Sequence, residues 1–478
     1  MIPAVGVSSP IKTVKATKGR LAPQAPRAII KALQEALIAA DPQTILSRRI
    51  SLKGEVLHVD SLSFDLSRFT RIFVIGGGKA SGKMAVEVER ILGRRITGGV
   101  VNIPDYLRPR PHCERIVLHG ATHPIPSAKG VRGVEKMLKL VGNPTPSDLV
   151  VCLISGGGSA LIPMPAEGVS LRDIQKATEL LLKSGADIDE MNAVRKHLSA
   201  IKGGRLAEKL YPATILSLII SDVVGDRLDS IASGPTVPDE TTYDDAQSVL
   251  KKYSTWDKLP ERVRRTIALG AAGKTEETPK EGAKIFERVS NVIVGGNKLS
   301  CEAAAESLQT MGYTTLILST RIQGEAKEIG RLFSSILSDV IENKLPFPPP
   351  VAVVAGGETT VTVRGDGVGG RNQELALSAA IGIKGLENAY VVSMGTDGVD
   401  GPTNAAGALV DWETVHKARK LGLDPGTFLQ NNDSNTFFKR LGGLIVTGPT
   451  GTNVNDIIMA VACEQPHVNV GNRVLPAV

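Results

Sequence analysis

Residues Arg71–Met84 read RIFVIGGGKASGKM, a short apolar run followed by three glycines, a lysine and the first turn of a helix. The same order recurs along the chain, and amphipathic stretches separate the apolar runs. Strands separated by helices predict parallel sheets with helices on both faces, so the fold class is α/β. The predicted strands are Arg71–Ile75, Gly99–Ile103, Leu149–Ile154, Ala213–Ile220, Asn291–Val294, Thr314–Leu318, Val351–Ala355, Tyr390–Ser393 and Leu444–Val446.

The length of 478 residues favours two or three domains. The best boundary lies between Leu269 and Glu287, because Gly270–Lys284 is rich in Gly, Lys, Glu and Thr and lacks core periodicity. We therefore predict a basic arm over residues 1–26, a first domain over 27–284 and a second over 285–478, which opens on Asn291–Val294. The arm is interpreted as a loose segment, with a transit peptide as the alternative.

Composition narrows the possible partners. The net charge is +7, but the basic residues are scattered and aromatic residues make up only 4% of the chain. Nucleic-acid binding favours clustered basic residues with interleaved aromatics, so we expect small phosphorylated or carboxylated ligands instead. No apolar run approaches the ~18 residues of a membrane span. The four cysteines form no CxxC pair, which favours a reducing, cytoplasmic location and excludes a zinc site of that type.

Fifty glycines are more than an average chain of this length contains, and many directly follow the predicted strands. Ligands of open parallel sheets bind beyond the carboxyl ends of strands, where glycine lets backbone N–H groups approach an anion. Each loop alone is explained equally well by a tight turn, but five of them favour a binding site. The five stretches are Val74–Met84, Cys152–Leu161, Val292–Ser300, Val353–Thr360 and Val392–Gly401.

The first of these loops nearly matches two known patterns. Gly77–Lys83 fits G-x-x-x-x-G-K, but Met84 follows where a P-loop needs Ser or Thr. Ser81 stands where the dinucleotide fingerprint needs its third glycine. The loop therefore predicts neither a standard P-loop enzyme nor a standard NAD enzyme. It still places Lys79 beside a helix N-terminus, a combination that attracts phosphate oxygens.

A second candidate anion-binding loop is Gly365–Arg371, with the sequence GDGVGGR. It places Arg371 in the first turn of a predicted helix, where a cation opposes the helix dipole. That position is explained by an anionic ligand or, alternatively, by a solvated arginine.

Several acidic residues stand at predicted strand ends, among them Asp222, Glu358 and Asp397. Oxygen ligands there suit Mg²⁺ carried by a nucleotide, and Asp222 and Asp397 are the favoured pair. The alternative for each is a loop-capping carboxylate.

Helical spacing over Met191–Arg205 places Asn192, Arg195, Ser199 and Lys202 along one line, beside an apolar stripe. Two cations on one line could bind a carboxylate or a phosphate, or could form an exposed polar face. His197 lies off the line and is interpreted as structural.

Together the motifs closely resemble glycerate 2-kinases of the MOFRL-domain type, over nearly the whole chain after about Pro26. The matching segments are GGGKAS (Gly76–Ser81), THP-P (Thr122–Pro126), SGGGSAL (Ser155–Leu161), MNAVRKHLSAIKGGRLA (Met191–Ala207), SDVVGD (Ser221–Asp226), SGPT (Ser233–Thr236), GGET (Gly356–Thr359), GGRNQELAL (Gly369–Leu377) and GTDGVDGPTNAAGA (Gly395–Ala408).

The resemblance implies ATP-dependent phosphorylation of D-glycerate at its 2-hydroxyl, with Mg²⁺, to give 2-phosphoglycerate and ADP. It also implies a Rossmann-like first domain, a MOFRL-type second domain, an active site in the cleft between them, and a monomer or homodimer. The lysine and arginine proposed as catalytic in that family map to Lys79 and Arg371. Phosphoryl transfer relies on positioning and on stabilising negative charge, which suits these two cations.

The expected site follows from the motifs and the resemblance together. The expected catalytic residues are Lys79, Arg371 and Asp222, with Arg195, Lys202 and Asp397 binding substrate and Asp222 and Asp397 binding metal. Asp222 and Asp397 are alternative acceptors of the hydroxyl proton. The expected nucleotide-binding residues are Gly76, Gly77, Gly78, Ser155, Gly156, Gly157, Gly158, Ser159, Gly295, Gly296, Asn297, Lys298, Gly356, Gly357 and Glu358.

Two other functions stay open. Glycine-rich strand–helix turns also bind NAD(P), which predicts an oxidoreductase that acts on hydroxypyruvate or a related acid. A non-enzymatic anion-binding protein would use the same cations without turnover.

Overall fold

The computed structural model describes residues 13–14, 24–108 and 110–464, and its helices and strands are numbered here in chain order. These residues form two compact units. One unit comprises residues 37–300 and 449–455, and the other comprises the rest of the described chain. We call them the six-stranded unit and the seven-stranded unit after their main sheets. The chain passes from one unit to the other within the helices α1 (Gln24–Ala39) and α11 (Asn297–Thr310), and again at 448/449 and 455/456, on either side of the segment 449–455.

The main sheet of the six-stranded unit is entirely parallel, in the order β10-β9-β8-β5-β6-β7. The chain first builds outward from β5 to β7 and then returns to build outward from β8 to β10. This is the doubly wound order, and the direction reverses between the neighbouring strands β5 and β8. The strands are β5 (Arg71–Gly77), β6 (Gly98–Pro104), β7 (Ile116–Ala121), β8 (Asp148–Ser155), β9 (Thr214–Ile220) and β10 (Val289–Gly295).

Both faces of this sheet are buried. On β5, Ile72 and Val74 pack into one apolar cluster, and Phe73 and Ile75 pack into another on the opposite face. Nine helices described in this unit are α2 (Pro42–Arg49), α3 (Ser81–Leu92), α4 (Ala128–Val141), α5 (Gly158–Leu161), α6 (Leu171–Ser184), α7 (Ile188–His197), α8 (Arg205–Leu210), α9 (Tyr243–Lys252) and α10 (Glu261–Ala271).

Local signals determine where α6 begins and ends. Ser170 and Asp173 form a reciprocal capping box, and Gly185 ends the helix in the left-handed conformation with φ +78°. The sequence predicts both features, and both are confirmed. The same unit also holds a small antiparallel sheet of β2 (Ile50–Lys53), β3 (Val56–Val59) and β4 (Leu62–Asp65).

The seven-stranded unit has a mixed sheet in the order β1-β15-β14-β13-β16-β12-β11. Its strands are β1 (Thr13–Val14), β11 (Thr314–Ile322), β12 (Val351–Gly357), β13 (Ala389–Gly395), β14 (Gly407–Asp411), β15 (Leu444–Val446) and β16 (Asp456–Ala462). The helices that lie wholly within this unit are α12 (Ala326–Ser338), α13 (Arg371–Gly382), α14 (Thr414–Lys420), α15 (Pro425–Gln430) and α16 (Ser434–Leu441).

The α/β class is confirmed, and all nine predicted strands are present. The six-stranded sheet is parallel, as expected, but the seven-stranded sheet is not mostly parallel. Only β11 and β12 pair in parallel within the seven-stranded sheet, because β16 lies between β12 and β13 and runs against both. The sequence analysis did not identify β14 or β16. These strands take part in every described antiparallel pair of the sheet except that of β1 with β15.

The strand expected to open the second domain is β10, which pairs in parallel with β9 at the edge of the six-stranded sheet. In this part of the chain the two compact units divide between Ser300 and Cys301, within α11, and not at the expected boundary after residue 284. Most of the expected basic arm lies outside the described residues. Thr13–Val14 pair with β15, and α1 begins at Gln24.

The four cysteines all lie within the described residues, and none of them forms a disulfide there. Among the described helices, none combines the length and the apolar character needed to cross a bilayer.

Candidate functional site

Three predicted site segments meet at the carboxyl edge of the six-stranded sheet, where the strand order reverses. Lys79 follows β5, Gly156–Gly158 follow β8, and Asp222 follows β9. The Lys79 amide donates to the Gly156 carbonyl over 2.8 Å. A Cβ on Gly156 would overlap the Asp222 carboxylate, and one on Gly157 would lie 3.4 Å from Lys79 Cγ. The fold therefore brings Lys79, Gly156–Gly158 and Asp222 together.

The triple glycine at the end of β5, Gly76–Gly78, permits close packing of this segment against β8. A Cβ on Gly76 or Gly78 would overlap the backbone of β8 at Leu153 or Ser155. The amides of Gly78 and Lys79 donate to the carbonyls of Asn102 and Gly156, and the Ala80 amide donates to Ser155 Oγ over 3.1 Å. Because protein acceptors occupy these N–H groups, they are not directed at an anion. The side chain that this loop contributes is that of Lys79.

A cavity of about 670 Å³ opens beside this edge. Its walls are formed by residues of the segments 123–126 and 157–164, by one face of α6, and by Arg195, Ser199 and Lys202. We call it the α6 cavity. Its volume lies in the ~300–1,000 Å³ range of small-molecule sites. Three of the four residues that the sequence places on one line therefore line this cavity.

The two cations of the α6 cavity are close to each other and desolvated. The Lys202 ammonium is buried and donates to the Ala232 carbonyl over 3.2 Å. Burial and then the charge of Arg195 lower the pKa of Lys202 to about 7, and burial lowers the pKa of Arg195. Among the described residues, neither forms an ion pair with a carboxylate. An anion in the cavity would relieve both the desolvation and the mutual repulsion.

Lys196, on the same helix as Arg195, has the opposite environment. Its ammonium is almost fully buried and lies 3.1 Å from Asp239 and 3.6 Å from Asp229. Buried cations in proteins are ordinarily paired in this way. Within the described residues, Arg195 and Lys202 thus lack the carboxylate partner that the neighbouring Lys196 has. The burial of Asn192, Ser199 and Lys202 excludes the interpretation of this line as an exposed polar face.

The helix that carries Arg195 is shorter than the spacing predicts. α7 ends at His197, and Ser199 instead forms a short bridge to Pro165, while the Ala200 amide donates to the Met164 carbonyl. This pairing with the segment after β8 turns the chain and still directs Ser199 and Lys202 to the cavity. The single-helix prediction was therefore wrong beyond His197.

His197 is structural, as predicted. Its ring is fully buried, and its nitrogens lie 2.6 Å from the Ala193 carbonyl and 2.8 Å from Glu277. Tyr243 packs against the ring edge. Burial would raise the pKa of Glu277, but hydrogen bonds from His197 and from backbone amides lower it to about 2.

The sequence analysis assigned no role to the turn Ala232–Gly234, which lies against the same cavity. All three residues have left-handed backbone, with φ of 52°, 60° and 58°. Such backbone costs energy in Ala and Ser and is often kept at functional sites. The turn presents the carbonyl that binds Lys202, and the Ser233 hydroxyl lies 2.8 Å from that of Ser159. The segment SGPT (Ser233–Thr236) could have indicated this turn, but the sequence analysis noted it only as part of the family resemblance.

His123 is a second residue without a predicted role. It lines the α6 cavity, and a Cβ on Gly157 would lie 2.8 Å from its Nε2. Gly157 has φ +77°, so glycine here satisfies both the backbone and the close approach of the imidazole. The signal was the THP-P segment, again noted only as part of the resemblance.

The loop after β10 contributes to packing and does not line the α6 cavity. A Cβ on Gly295 would lie 2.6 Å from Ile45 Cδ1, and the Gly295 carbonyl accepts from the Ser221 amide. Asn297 Nδ2 donates to the Val454 carbonyl over 2.8 Å. Gly296 lies near the Asp226 carboxylate, and Lys298 is exposed.

In the seven-stranded unit, Arg371 is held by two carboxylates. Its Nε and Nη2 donate to both oxygens of Asp456, at 2.7 and 3.0 Å, and its Nη1 donates to Glu358 over 2.7 Å. Asp456 is buried, and about a third of the Arg371 side chain is exposed. Burial would lower the pKa of Arg371, but the charge of Asp456 raises it well above its usual value. Arg371 is therefore an ion-paired residue and not the solvated arginine that was the alternative.

The loop Gly365–Arg371 was expected to bind an anion through its amides, and this expectation was wrong for residues 365–368. The amides of Gly365 and Asp366 donate to the side chains of Asn432 and Asn431, those of Gly367 and Val368 to the Asn431 carbonyl and Asp433. A Cβ on Gly365 or Gly367 would overlap the Asn431 backbone. The glycines thus permit close packing of this loop on residues 431–433.

The N-terminus of α13 already has a carboxylate. Asp400 accepts from the amides of Asn372 and Gln373, at 3.0 and 2.9 Å, and from the Gln373 side chain. Burial raises the pKa of Asp400, and these hydrogen bonds oppose that rise. A protein carboxylate therefore stabilises the helix dipole, which offsets the cation at position 371.

The remaining predicted residues of this unit lie at the carboxyl ends of β12 and β13. A Cβ on Gly357 would overlap the Ile322 backbone, and the Glu358 amide donates to the Ile322 carbonyl. Asp397 accepts from the Val399 amide over 3.1 Å. No described group of three or more His, Cys, Asp or Glu side chains is arranged to hold a metal ion, so Asp222 and Asp397 are not members of a metal cluster of that kind.

Two family models match the chain, a domain of unknown function (DUF4147) over residues 28–268 and the MOFRL family over residues 351–456. The glycerate 2-kinase of Pyrococcus horikoshii is 44% identical over 437 residues, which cover 91% of this chain and 97% of that protein. The chain belongs to the MOFRL-type glycerate kinase family.

A crystal structure of a glycerate kinase from Thermotoga maritima has the same fold as this family member. Its TM-score is 0.81 at 40% identity, over 91% of this chain and 99% of that one. A putative hydroxypyruvate reductase of Agrobacterium vitis is 42% identical, over 81% of this chain and 86% of that protein. The resemblance that the motifs carry is confirmed. Lys79, Arg195, Lys202 and Asp222 fall within the first family model, and Arg371 falls within the MOFRL match.

Proposed function

We propose that this protein phosphorylates D-glycerate at its 2-hydroxyl, using ATP and Mg²⁺ and giving 2-phosphoglycerate and ADP. The names of the relatives support the reaction class, because relatives 44% and 40% identical are a glycerate 2-kinase and a glycerate kinase. The observation that carries the proposal is the pair of cations in the cavity beside the Gly156–Gly158 loop. Arg195 is half-buried, Lys202 is buried, and neither has a carboxylate partner among the described residues.

Arg195 and Lys202 bind the carboxylate of D-glycerate in this proposal. A guanidinium and an ammonium together supply several N–H donors, and charge-assisted hydrogen bonds are roughly twice as strong as neutral ones. Ser199 lines the same wall and offers a hydroxyl to the substrate.

Lys79 stabilises the phosphoryl group during transfer. The 2-hydroxyl oxygen attacks the terminal phosphorus of ATP, the bond from that phosphorus to the bridging oxygen breaks, and ADP leaves. Negative charge spreads over the transferred group, and a lysine held against the Gly156–Gly158 loop is placed to offset it. The hydroxyl proton passes to a carboxylate, for which Asp222 is the proposed acceptor because it lies against Gly156.

The residues fit a magnesium ion that arrives with the nucleotide better than a resident one. Mg²⁺ in kinases keeps several waters and is bound through one or two carboxylates plus substrate phosphates. Asp222 and Asp397 are each suited to that limited role. When bound, the ion would neutralise phosphate charge. The amides of the Gly156–Gly158 loop are the proposed phosphate contacts, and Gly295–Lys298 and Gly356–Glu358 stay predictions.

Arg371 is proposed as the second catalytic cation. It remains one-third exposed despite its carboxylate partners, so one side of the guanidinium is available to a ligand. A cytoplasmic location is also proposed, because none of the four described cysteines forms a disulfide.

The test is to incubate the protein with D-glycerate, ATP and Mg²⁺, to measure ADP release and to identify the product by ³¹P NMR. We expect 2-phosphoglycerate. Oxidation of NADH with hydroxypyruvate, without ADP release, would support the oxidoreductase instead. That alternative is favoured by the name of the Agrobacterium vitis relative and by the doubly wound strand order, which also binds dinucleotides. Ligand binding without turnover in either assay would support the non-enzymatic anion-binding protein.

Lys79→Ala tests the mechanism. We expect kcat to fall by about 10²-fold or more with little change in the KM for D-glycerate, because the lysine acts on charge that develops during transfer. Lys53→Ala, at an exposed lysine of the small antiparallel sheet in the same unit, is the control and should keep the wild-type kcat. Wild-type turnover by Lys79→Ala would contradict the assignment.

A further inference from the structure

The α6 cavity is much larger than D-glycerate requires. A three-carbon acid occupies a small part of about 670 Å³, a volume that suits a drug-sized ligand. Arg195 and Lys202 occupy one part of the lining. The rest of the cavity is therefore large enough for a second ligand or for part of one.

The lining away from the two cations is largely aliphatic. Ile174 and Leu182 project from α6 at i and i+8, on one face of that helix, and Ile125 and Met164 come from the segments after β7 and β8. Ile125 and Leu182 are 65% and 58% exposed, which is uncommon for aliphatic side chains of this size. Exposed apolar residues gathered around a cavity with a few polar groups mark a binding site.

We infer that the aliphatic wall formed by Ile125, Met164, Ile174 and Leu182 holds the nucleoside base of the phosphoryl donor. The inference rests on the proposed function and adds the position of the base. A base is a flat, largely apolar group joined to a polyanion. The apolar wall shares the cavity with Gly157 and Ser159, which belong to the loop proposed to contact the phosphates, while Arg195 and Lys202 are left to the carboxylate of D-glycerate.

The chemistry also separates a nucleotide from an amphiphile such as a fatty acid. A long acyl chain needs a continuous apolar tunnel, whereas Gln175, Thr178 and Glu179 interrupt this wall with polar groups from the same helix. Gln175 Nε2 already donates to the Pro126 carbonyl, and Glu179 is paired with Lys176 and Lys183, so the Thr178 hydroxyl and the Gln175 amide oxygen are the groups assigned to the edge of the base. The polar side chains on α6 therefore favour a base.

The experiment compares MgATP with magnesium tripolyphosphate, which has the same chain of phosphates and no base. Binding to the full-length protein is measured by calorimetry, without D-glycerate and therefore without turnover. We expect wild-type protein to bind MgATP at least tenfold more tightly than tripolyphosphate. In the double variant Ile125→Gln/Leu182→Gln we expect the affinity for MgATP to fall about tenfold, with that for tripolyphosphate unchanged.

Ile125 and Leu182 are exposed, so these neutral substitutions preserve the core and add no charge near the phosphates. Ile188→Gln is the matched control, because Ile188 is 52% exposed in the same unit and does not line the cavity. It should leave both affinities at the wild-type level.

Three outcomes would overturn the inference: equal wild-type affinities for the two ligands, an unchanged affinity for MgATP in the double variant, or an equal loss for both ligands. Failure of the proposed function is a separate result, because it is the absence of ADP release with D-glycerate. Turnover without a base-dependent difference in affinity would overturn this inference alone.

Discussion

Arg195 and Arg371 are both half-buried arginines of predicted site motifs, but their surroundings differ. Arg371 makes a bidentate pair with the buried Asp456 and a further bond to Glu358, and these carboxylates raise its pKa. Arg195 has no carboxylate partner among the described residues, burial lowers its pKa, and its charge lowers the pKa of Lys202. One arginine is neutralised by the protein and the other is not.

The difference separates two ways in which a cation can serve an anionic ligand. Arg371 is oriented by its partners, so its geometry is established before any ligand arrives, but much of its charge is already offset. Arg195 and the protonated form of Lys202 carry charge that no described carboxylate offsets, which costs folding free energy until an anion binds. We therefore expect Arg371 to support the fold and turnover, and Arg195 to determine affinity for the substrate.

The largest expected effect is that of Arg371→Ala. The change leaves Asp456 buried without its bidentate partner, so we expect the free energy of unfolding to fall by about 3 kcal/mol, at the lower end for a buried pair because Arg371 is partly exposed. Turnover should fall by about 10²-fold or more. Chemical denaturation and steady-state kinetics measure the two effects. The double variant Arg371→Ala/Asp456→Asn should recover stability but not kcat, and recovery of both would show that Arg371 is purely structural.

The second expected effect is on the KM for D-glycerate in Arg195→Ala. Losing a charge-assisted hydrogen bond to a carboxylate costs about 1.5–3 kcal/mol, which corresponds to a rise of roughly 10- to 100-fold. Stability should be unchanged or higher, because removing Arg195 relieves Lys202 of a nearby like charge. A loss of stability as large as that of Arg371→Ala would contradict the contrast between the two arginines.

The third expected effect is a pH dependence of substrate affinity. Lys202 must carry a proton to bind a carboxylate, and its pKa of about 7 in the free protein means that this proton is lost as the pH rises above 7. The KM for D-glycerate should therefore be constant below pH 7 and rise by up to about tenfold per pH unit above it. Lys202→Arg should remove the dependence, because arginine stays charged. The same slope in Lys202→Arg would assign the titration to another group.

The smallest expected effects come from exchanging each arginine for lysine. At position 371 a lysine keeps the charge but loses the bidentate geometry, so we expect a loss of about 1–2 kcal/mol in unfolding free energy. At position 195 the proposed partner is a ligand, and among the described residues no carboxylate depends on the planar geometry of the guanidinium. The KM should then change by only a few fold, and denaturation midpoints and KM values compare the two. A larger loss of stability at 195 than at 371 would reverse the comparison.

The glycine-rich loops show how much a local sequence pattern can predict about a binding site. The sequence predicts that glycines after strands approach an anion, and Gly156–Gly158 lie beside a cavity with two unpaired cations. The glycines of Gly76–Gly78 and Gly365–Gly367 look the same in the sequence, yet they permit close packing on β8 and on Asn431. What distinguishes the loops is which acceptors lie opposite their N–H groups, and those acceptors come from distant parts of the chain.

The amino-acid sequence by itself determined the α/β class, nine strands, the capping of α6 and, through the order of its motifs, the family. These follow from local periodicity and from short segments, which a chain carries without reference to its fold. The tertiary structure decided which of the described cations have no carboxylate partner, that β16 makes the second sheet mixed, and that the segment after α7 directs the Lys202 side chain to the α6 cavity. Those outcomes depend on residues far apart in the chain, because burial and ion pairing are properties of what surrounds a side chain in space.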